Sequence, residues 1–268
     1  MPGPTSSAEV RRSLERLDAY ANVAAPGEPG DERRVSALRH PVGDEGRRAD
    51  LRLLYLHGTP GDAEGWADFL VDPVGDLPSS AVDRPGFGKS DTRSLATLEG
   101  QSRALAPFMG EAGVRTIVVG HSYGGPVALQ AALDYPDEIA AAVILAGSVS
   151  PALEKRRWFN YAAKGLSWVL PRALRRSNQE VWPLRADLER LAKSLGEIRV
   201  PVVIVHGTDD GLVPYGNATF MEEALSGAAS ISLRTLDGAG HMFIWEERWV
   251  PTVREAILEA ALKVQAAG

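Results

Sequence analysis

The chain has 268 residues, 44% of them hydrophobic, and a formal net charge of −6. That length and apolar content suffice for one large buried core and call for no second fold. An acidic balance without a lysine or arginine stripe argues against a nucleic-acid partner, whose phosphates demand positive surface, and suits neutral or weakly charged small molecules.

The first thirty residues differ in character from the rest of the chain. Val10, Leu14 and Leu17 share the spacing of one helical face, which predicts a short helix over residues 7–20, and residues 21–30 read as a linker. The longest continuous apolar run, residues 139–146, suits a buried strand and is too short for a signal peptide or a membrane span. The expected location is therefore cytoplasmic, with no integral membrane segment.

Beyond the linker, short apolar runs alternate with helical patterns. Strands are predicted over residues 35–42, 51–56, 79–82, 116–119, 141–145, 202–205 and 230–236. This rhythm predicts an α/β fold, a doubly wound, mostly parallel sheet with helices on both faces. Residues 149–196 interrupt it. They carry Trp158, Phe159, Tyr161, Trp168 and Trp182 among Lys155, Arg156, Arg157, Arg172, Arg175 and Arg176. The aromatics supply large apolar area with few rotatable bonds, and the cations are expected on the solvent face.

The segment Gly120-His121-Ser122-Tyr123-Gly124-Gly125 follows the apolar run 115–119 and precedes the helical pattern 126–133. It reads as a nucleophile elbow, in which Ser122 sits on a strained strand-to-helix turn, the glycines make room, and the helix N-terminus favours developing negative charge. An acid and a base follow in the order that such an elbow demands. Asp209 and Asp210 lie in the loop after strand 202–205, and His241 closes Gly238-Ala239-Gly240-His241 after strand 230–236.

Two further motifs are Leu54-Tyr55-Leu56-His57-Gly58-Thr59-Pro60-Gly61 and Asp83-Arg84-Pro85-Gly86-Phe87-Gly88-Lys89-Ser90. Together with the elbow and the late Asp and His, they make the chain resemble the α/β-hydrolase family from about Val35 to the C-terminus. The resemblance implies residues 31–148 plus 197–268 as the hydrolase core and 149–196 as a helical cap inserted between strands six and seven. It implies Ser122 as nucleophile, His241 as base and Asp210, rather than its neighbour Asp209, as the orienting acid. It also implies that the backbone N–H groups of Thr59 and Tyr123 form the oxyanion hole. Substrate contacts are expected from Trp158, Phe159, Trp168 and Trp182.

Other histidines have plainer expected roles. His57 braces the oxyanion loop, His121 packs away from Ser122, and His206 is a buried, satisfied side chain. Four of the five histidines, at 57, 121, 206 and 241, lack the spacing of a zinc motif, and the chain has no cysteine, so neither metal nor cofactor is expected. Gly88-Lys89-Ser90 ends like a phosphate-binding loop, but Asp83 stands where the first glycine of that loop belongs. Asp83 and Arg84 are instead expected to bond locally.

The function expected from this set is hydrolysis of small to medium carboxylic esters with an apolar part, through an acyl-enzyme on Ser122. The alternatives are carbon–carbon bond hydrolysis, lactone opening or perhydrolysis with the same triad, and a hydrolase-fold ligand receptor with little turnover. A peptidase would need acidic groups to receive an amino terminus, for which Glu154, Glu180, Asp187 and Glu189 are the candidates.

Overall fold

The computed structural model describes residues 13–40, 50–109, 113–154 and 170–267. Among them run eight strands, β1 (Glu15–Asn22), β2 (Glu32–Arg39), β3 (Leu51–Leu56), β4 (Ser79–Asp83), β5 (Arg115–His121), β6 (Ile139–Leu145), β7 (Val202–Gly207) and β8 (Ile231–Leu236). They form one sheet in the order β1-β2-β4-β3-β5-β6-β7-β8. The pairs β1–β2 and β2–β4 are antiparallel and all others parallel.

Central strands of such a sheet are covered on both faces and read as continuous apolar runs. All seven residues of β6 are buried. Along β5 the side chains alternate: Ile117 and Val119 enter one core cluster with Trp66, Val143 and Ile257, while Val118 enters the other with Val127, Leu129 and Leu188. The described helices are α1 (Ala67–Val71), α2 (Leu98–Arg103), α3 (Gly124–Asp134), α4 (Arg172–Ser194), α5 (Gly216–Ala224) and α6 (Val250–Ala267). No described helix is long and apolar enough to cross a membrane.

The N-terminal expectation needs correction. Residues 15–20 belong to β1, not to a helix, and residues 7–12 of the predicted helix lie outside the described residues. The helical spacing of Leu14 and Leu17 misleads because Leu17 is exposed, while Ala21 is the residue of β1 that is buried. Eight paired residues with β2 decide the conformation. The predicted linker begins with the last two residues of β1, and the rest is a closed connection in which Val23 N–H donates to Asp31 O at 2.9 Å and Asn22 Oδ1 accepts from Asp31 N–H at 3.1 Å.

In the region 149–196, residues 155–169 lie outside the described residues. Helix α4 buries Glu180, Leu184, Asp187, Leu188 and Leu191, a spacing that places them on one face. Leu184, Leu188 and Leu191 join the core cluster that includes α3 residues Val127 and Leu129.

Candidate active site

The site lies at the carboxyl ends of the sheet strands, where open α/β sheets form their ligand crevices. Between the end of β5 and the start of α3, Ser122 adopts φ 56°. The left-handed region costs a non-glycine residue on the order of 1–3 kcal/mol, so the surroundings must hold it there. They do so through Ser122 N–H to Leu145 O at 2.9 Å, and through Ser122 O, which accepts from Gly125 N–H at 3.0 Å. A Cβ on Gly120 would lie 2.2 Å from Gly124 O, and one on Gly124 would lie 2.5 Å from Leu56 O. Only glycine permits so sharp a turn packed so closely against β3.

The Ser122 hydroxyl lies 3.0 Å from His241 Nε2, and His241 Nδ1 donates to Asp210 Oδ2 at 2.6 Å. These bonds join the ends of β5, β7 and β8. The other oxygen of Asp210 accepts from the Leu212 and Val213 N–H groups at 2.9 and 2.7 Å. Burial pushes the Asp210 carboxyl up, but the bonds from His241 and from these two N–H groups outweigh it and hold the group below its ordinary range. Asp209, one residue earlier, is exposed, and its backbone N–H goes to Ala239 O at 3.0 Å.

Two buried histidines back this chain. His121 does more than pack: its Nε2–H donates to the backbone oxygen of His241 at 3.1 Å, and its ring stands 4.8 Å from the His241 ring and 5.2 Å from Trp245. Burial, reinforced by the neighbouring imidazole of His241, pulls its pKa down to about 3, so it is a neutral brace. His206 donates from Nε2 to Val213 O at 2.9 Å and lies 3.6 Å from Asp210 Oδ2. Among the described residues its buried Nδ1 has no hydrogen-bond partner, so within them His206 is only half satisfied.

The loop after β3 presses directly on the serine. A Cβ on Gly58 would lie 2.9 Å from Ser122 Cβ. His57 donates from Nδ1 to Gly58 O at 2.6 Å and accepts at Nε2 from Arg84 N–H at 3.0 Å. Those two bonds fix one neutral tautomer, and burial together with Arg84 holds the ring's pKa well below the usual histidine value. Thr59 is the next residue, and Tyr123 follows Ser122 on the elbow. These two residues follow the ends of the adjacent strands β3 and β5.

The β4 turn departs from expectation. Asp83 bonds Lys89 N–H at 2.9 Å within the turn, but also Ala63 N–H at 2.7 Å and the side chain of Arg16. Arg84 is not bonded locally through its side chain. Its guanidinium reaches Glu180 on α4, ninety-six residues away, at 2.6 Å, with both side chains fully buried. Nothing in the local sequence signals that pair. The other acidic candidates between residues 149 and 196 are engaged too: Asp187 with Arg190 and with Leu98 N–H, Glu189 with Arg185, and Glu154 with the Ser148 hydroxyl.

Of the aromatics expected to touch substrate, Trp158, Phe159 and Trp168 lie outside the described residues. Trp182 lines a cavity of about 540 Å³ with Arg93, Ser94, Arg176 and Pro183, and Ser122 is not among the lining residues. Among the described residues, exposed apolar side chains also occur close in sequence to the acid and the base. They are Leu212, Met242 and Trp245, in the loops that carry Asp210 and His241.

Across 273 aligned residues the chain is 27% identical to the 2-hydroxy-6-oxononadienedioate/2-hydroxy-6-oxononatrienedioate hydrolase of Burkholderia vietnamiensis, covering 85% of this chain and 90% of that protein. A stretch of 114 residues is 38% identical to the dihydrolipoyllysine-residue acetyltransferase component of the acetoin cleaving system of Cupriavidus necator. It takes in 41% of this chain and 30% of that relative, so the chain spans less than a third of its length. Among solved structures, MGS-M2, an alpha/beta hydrolase enzyme from a Medee basin deep-sea metagenome library, matches with a TM-score of 0.70 at 20% identity, covering 85% of this chain and 94% of that one. The model of the alpha/beta hydrolase family matches residues 53–255, most of the chain, and the protein belongs to that family.

Proposed function

We propose that the protein is a serine hydrolase that cleaves small to medium carboxylic esters with an apolar part through an acyl-enzyme on Ser122. The observation that carries this reading is the hydrogen-bonded chain from Ser122 Oγ through His241 to Asp210, at 3.0 and 2.6 Å, behind a serine held at φ 56°. In this reaction Ser122 Oγ attacks the ester carbonyl carbon while His241 Nε2 takes the hydroxyl proton. Asp210 keeps the ring's other N–H oriented and stabilises the imidazolium. The tetrahedral oxyanion is received by the backbone N–H groups of Thr59 and Tyr123. Collapse expels the alcohol with the proton from His241, and a water activated by the same nitrogen then releases the acid. No cofactor takes part.

Exposed Leu212, Met242 and Trp245 beside the acid and base support an apolar acyl or alcohol group. The second reading, carbon–carbon bond hydrolysis, is favoured by the full-length likeness to the Burkholderia hydrolase, whose named substrate is a dioate. A dicarboxylate calls for net positive charge in the pocket wall. Among the described residues, the buried cation next to the serine loop, Arg84, is matched by Glu180, and that balance favours a neutral ester.

Turnover of p-nitrophenyl esters from acetate to a long acyl chain, beside a 2-hydroxy-6-oxodienedioate, tests the choice. Ester hydrolysis by the wild type, with the dioate left intact, is the expected outcome. Faster consumption of the dioate would replace the ester reading with the carbon–carbon one. Saturable binding of both classes with no turnover would replace it with a ligand receptor.

A further inference from the structure

We propose that Arg84 and Glu180 are positioning residues that hold the two oxyanion-hole segments in register and tie that register to helix α4. This rests on the proposed assignment of the oxyanion donors to the Thr59 and Tyr123 N–H groups. A guanidinium presents its donors in a rigid planar fork, so the groups it binds are fixed relative to one another. Here the fork is fully buried, and all three of its nitrogens donate hydrogen bonds. Nε donates to His57 O at 3.0 Å, and Nη2 to Gly58 O at 2.9 Å. Those are the two carbonyls immediately before Thr59. The guanidinium carbon stands 4.6 Å from the centre of the Tyr123 ring, so the same group touches the residue that supplies the second donor.

Glu180 completes the clasp from helix α4. It accepts from Arg84 Nη1 at 2.6 Å and from Nη2 at 3.2 Å, and Gln101 Nε2 donates to it at 2.8 Å. Burial pushes its carboxyl up, while the charge and hydrogen bonds of Arg84 pull it back. A buried ion pair is weak evidence for stability, since an apolar pair of similar volume often folds as well or better. What the pair does contribute is geometry. Its partners are loop carbonyls, an amide and an aromatic face, and not the side chains of Ser122, His241 or Asp210. Its loss would therefore displace the oxyanion donors while leaving the proton relay in place.

The double variant Arg84→Met/Glu180→Leu tests this, because it removes the fork without leaving an unpaired buried charge. Three readouts are needed: kcat and KM on a p-nitrophenyl ester, the affinity of an aryl trifluoromethyl ketone that adds to Ser122 as a tetrahedral oxyanion, and urea unfolding. A displacement of about 1 Å costs on the order of a hundredfold in rate, so kcat and ketone affinity are expected to fall together by roughly tenfold to a hundredfold, with KM changed by no more than about threefold. Glu180→Gln, which keeps shape and one acceptor, is expected to lose less, and it decides the matter in the same assays if the double variant does not fold. Wild-type kcat and ketone affinity in the variants, with only the unfolding midpoint moved, would overturn the proposal and leave the pair purely structural. If the wild type itself does not bind the ketone, and Ser122→Ala matches its ester turnover, the hydrolase reading fails, and this inference with it.

Discussion

Replacing His121 by glutamine is expected to flatten the acid side of the protein's stability profile. Glutamine keeps an N–H donor for His241 O but cannot titrate. In the folded chain His121 is buried against His241 and Trp245, with a pKa of about 3, against an ordinary value of 6.5. Below pH 6.5 the unfolded chain therefore binds a proton that the folded chain refuses. The stability tied to this group is fully present above pH 6.5 and is lost as pH falls toward 3. One pKa unit corresponds to about 1.4 kcal/mol, so lowering the pH from 7 to 5 removes about 2 kcal/mol through His121 alone. Burial also holds His57 and His206 below their ordinary range, so both proteins lose stability on acidification, and the difference between them isolates His121. Urea unfolding followed by tryptophan fluorescence at pH 7 and pH 5 measures it. The wild type is expected to lose about 2 kcal/mol more than His121→Gln over that interval. Equal losses would show that His121 is solvated or protonated in the folded state, and its role as a neutral brace would be refuted.

Gly58→Ala places a Cβ 2.9 Å from Ser122 Cβ, so either the serine or the oxyanion loop must shift. Displacing one oxyanion donor typically costs about a hundredfold to a thousandfold in kcat, and steady-state ester kinetics on a variant with unchanged circular dichroism would check it. Asp210→Asn loses the charge that His241 Nδ1 binds at 2.6 Å and is expected to lower kcat by about four orders of magnitude, as loss of the orienting carboxylate does in serine hydrolases generally. Asp209→Asn, at an exposed position, is expected to leave kcat within about twofold, since surface substitutions away from such features have small effects; the reverse ranking in parallel assays would reassign the acid. The Asp210 carboxyl is held below its ordinary range, so its contribution to stability is present at neutral pH and lost as pH falls below about 4, a component that Asp210→Asn lacks in acid unfolding curves.

The parts of this protein that could be read from its sequence are those whose geometry is imposed by neighbours in the chain. The elbow needs glycine at 120 and 124 because a Cβ at either would strike backbone within 2.5 Å, and that requirement is written into a six-residue string. The central strands are covered on both faces and so appear as unbroken apolar runs. Edge strand β1 carries no such signal. It buries small Ala21 and exposes Leu17 and Tyr20, so its apolar residues fall by chance on a helical spacing. Helix α4 runs 23 residues through Pro183, a residue that would ordinarily end a helical pattern. The Arg84–Glu180 pair lies beyond local reading altogether, because its two partners meet only once α4 has packed into the core beside α3.

The central claim, a covalent intermediate on Ser122, is tested most directly by intact-mass measurement after rapid acid quench of the enzyme mixed with p-nitrophenyl acetate. The expected result is a single acetyl increment that maps to the peptide containing Ser122, decays at the turnover rate, and is absent from Ser122→Ala together with nearly all turnover. Ester hydrolysis that proceeds without any adduct, or that survives unchanged in Ser122→Ala, would contradict it.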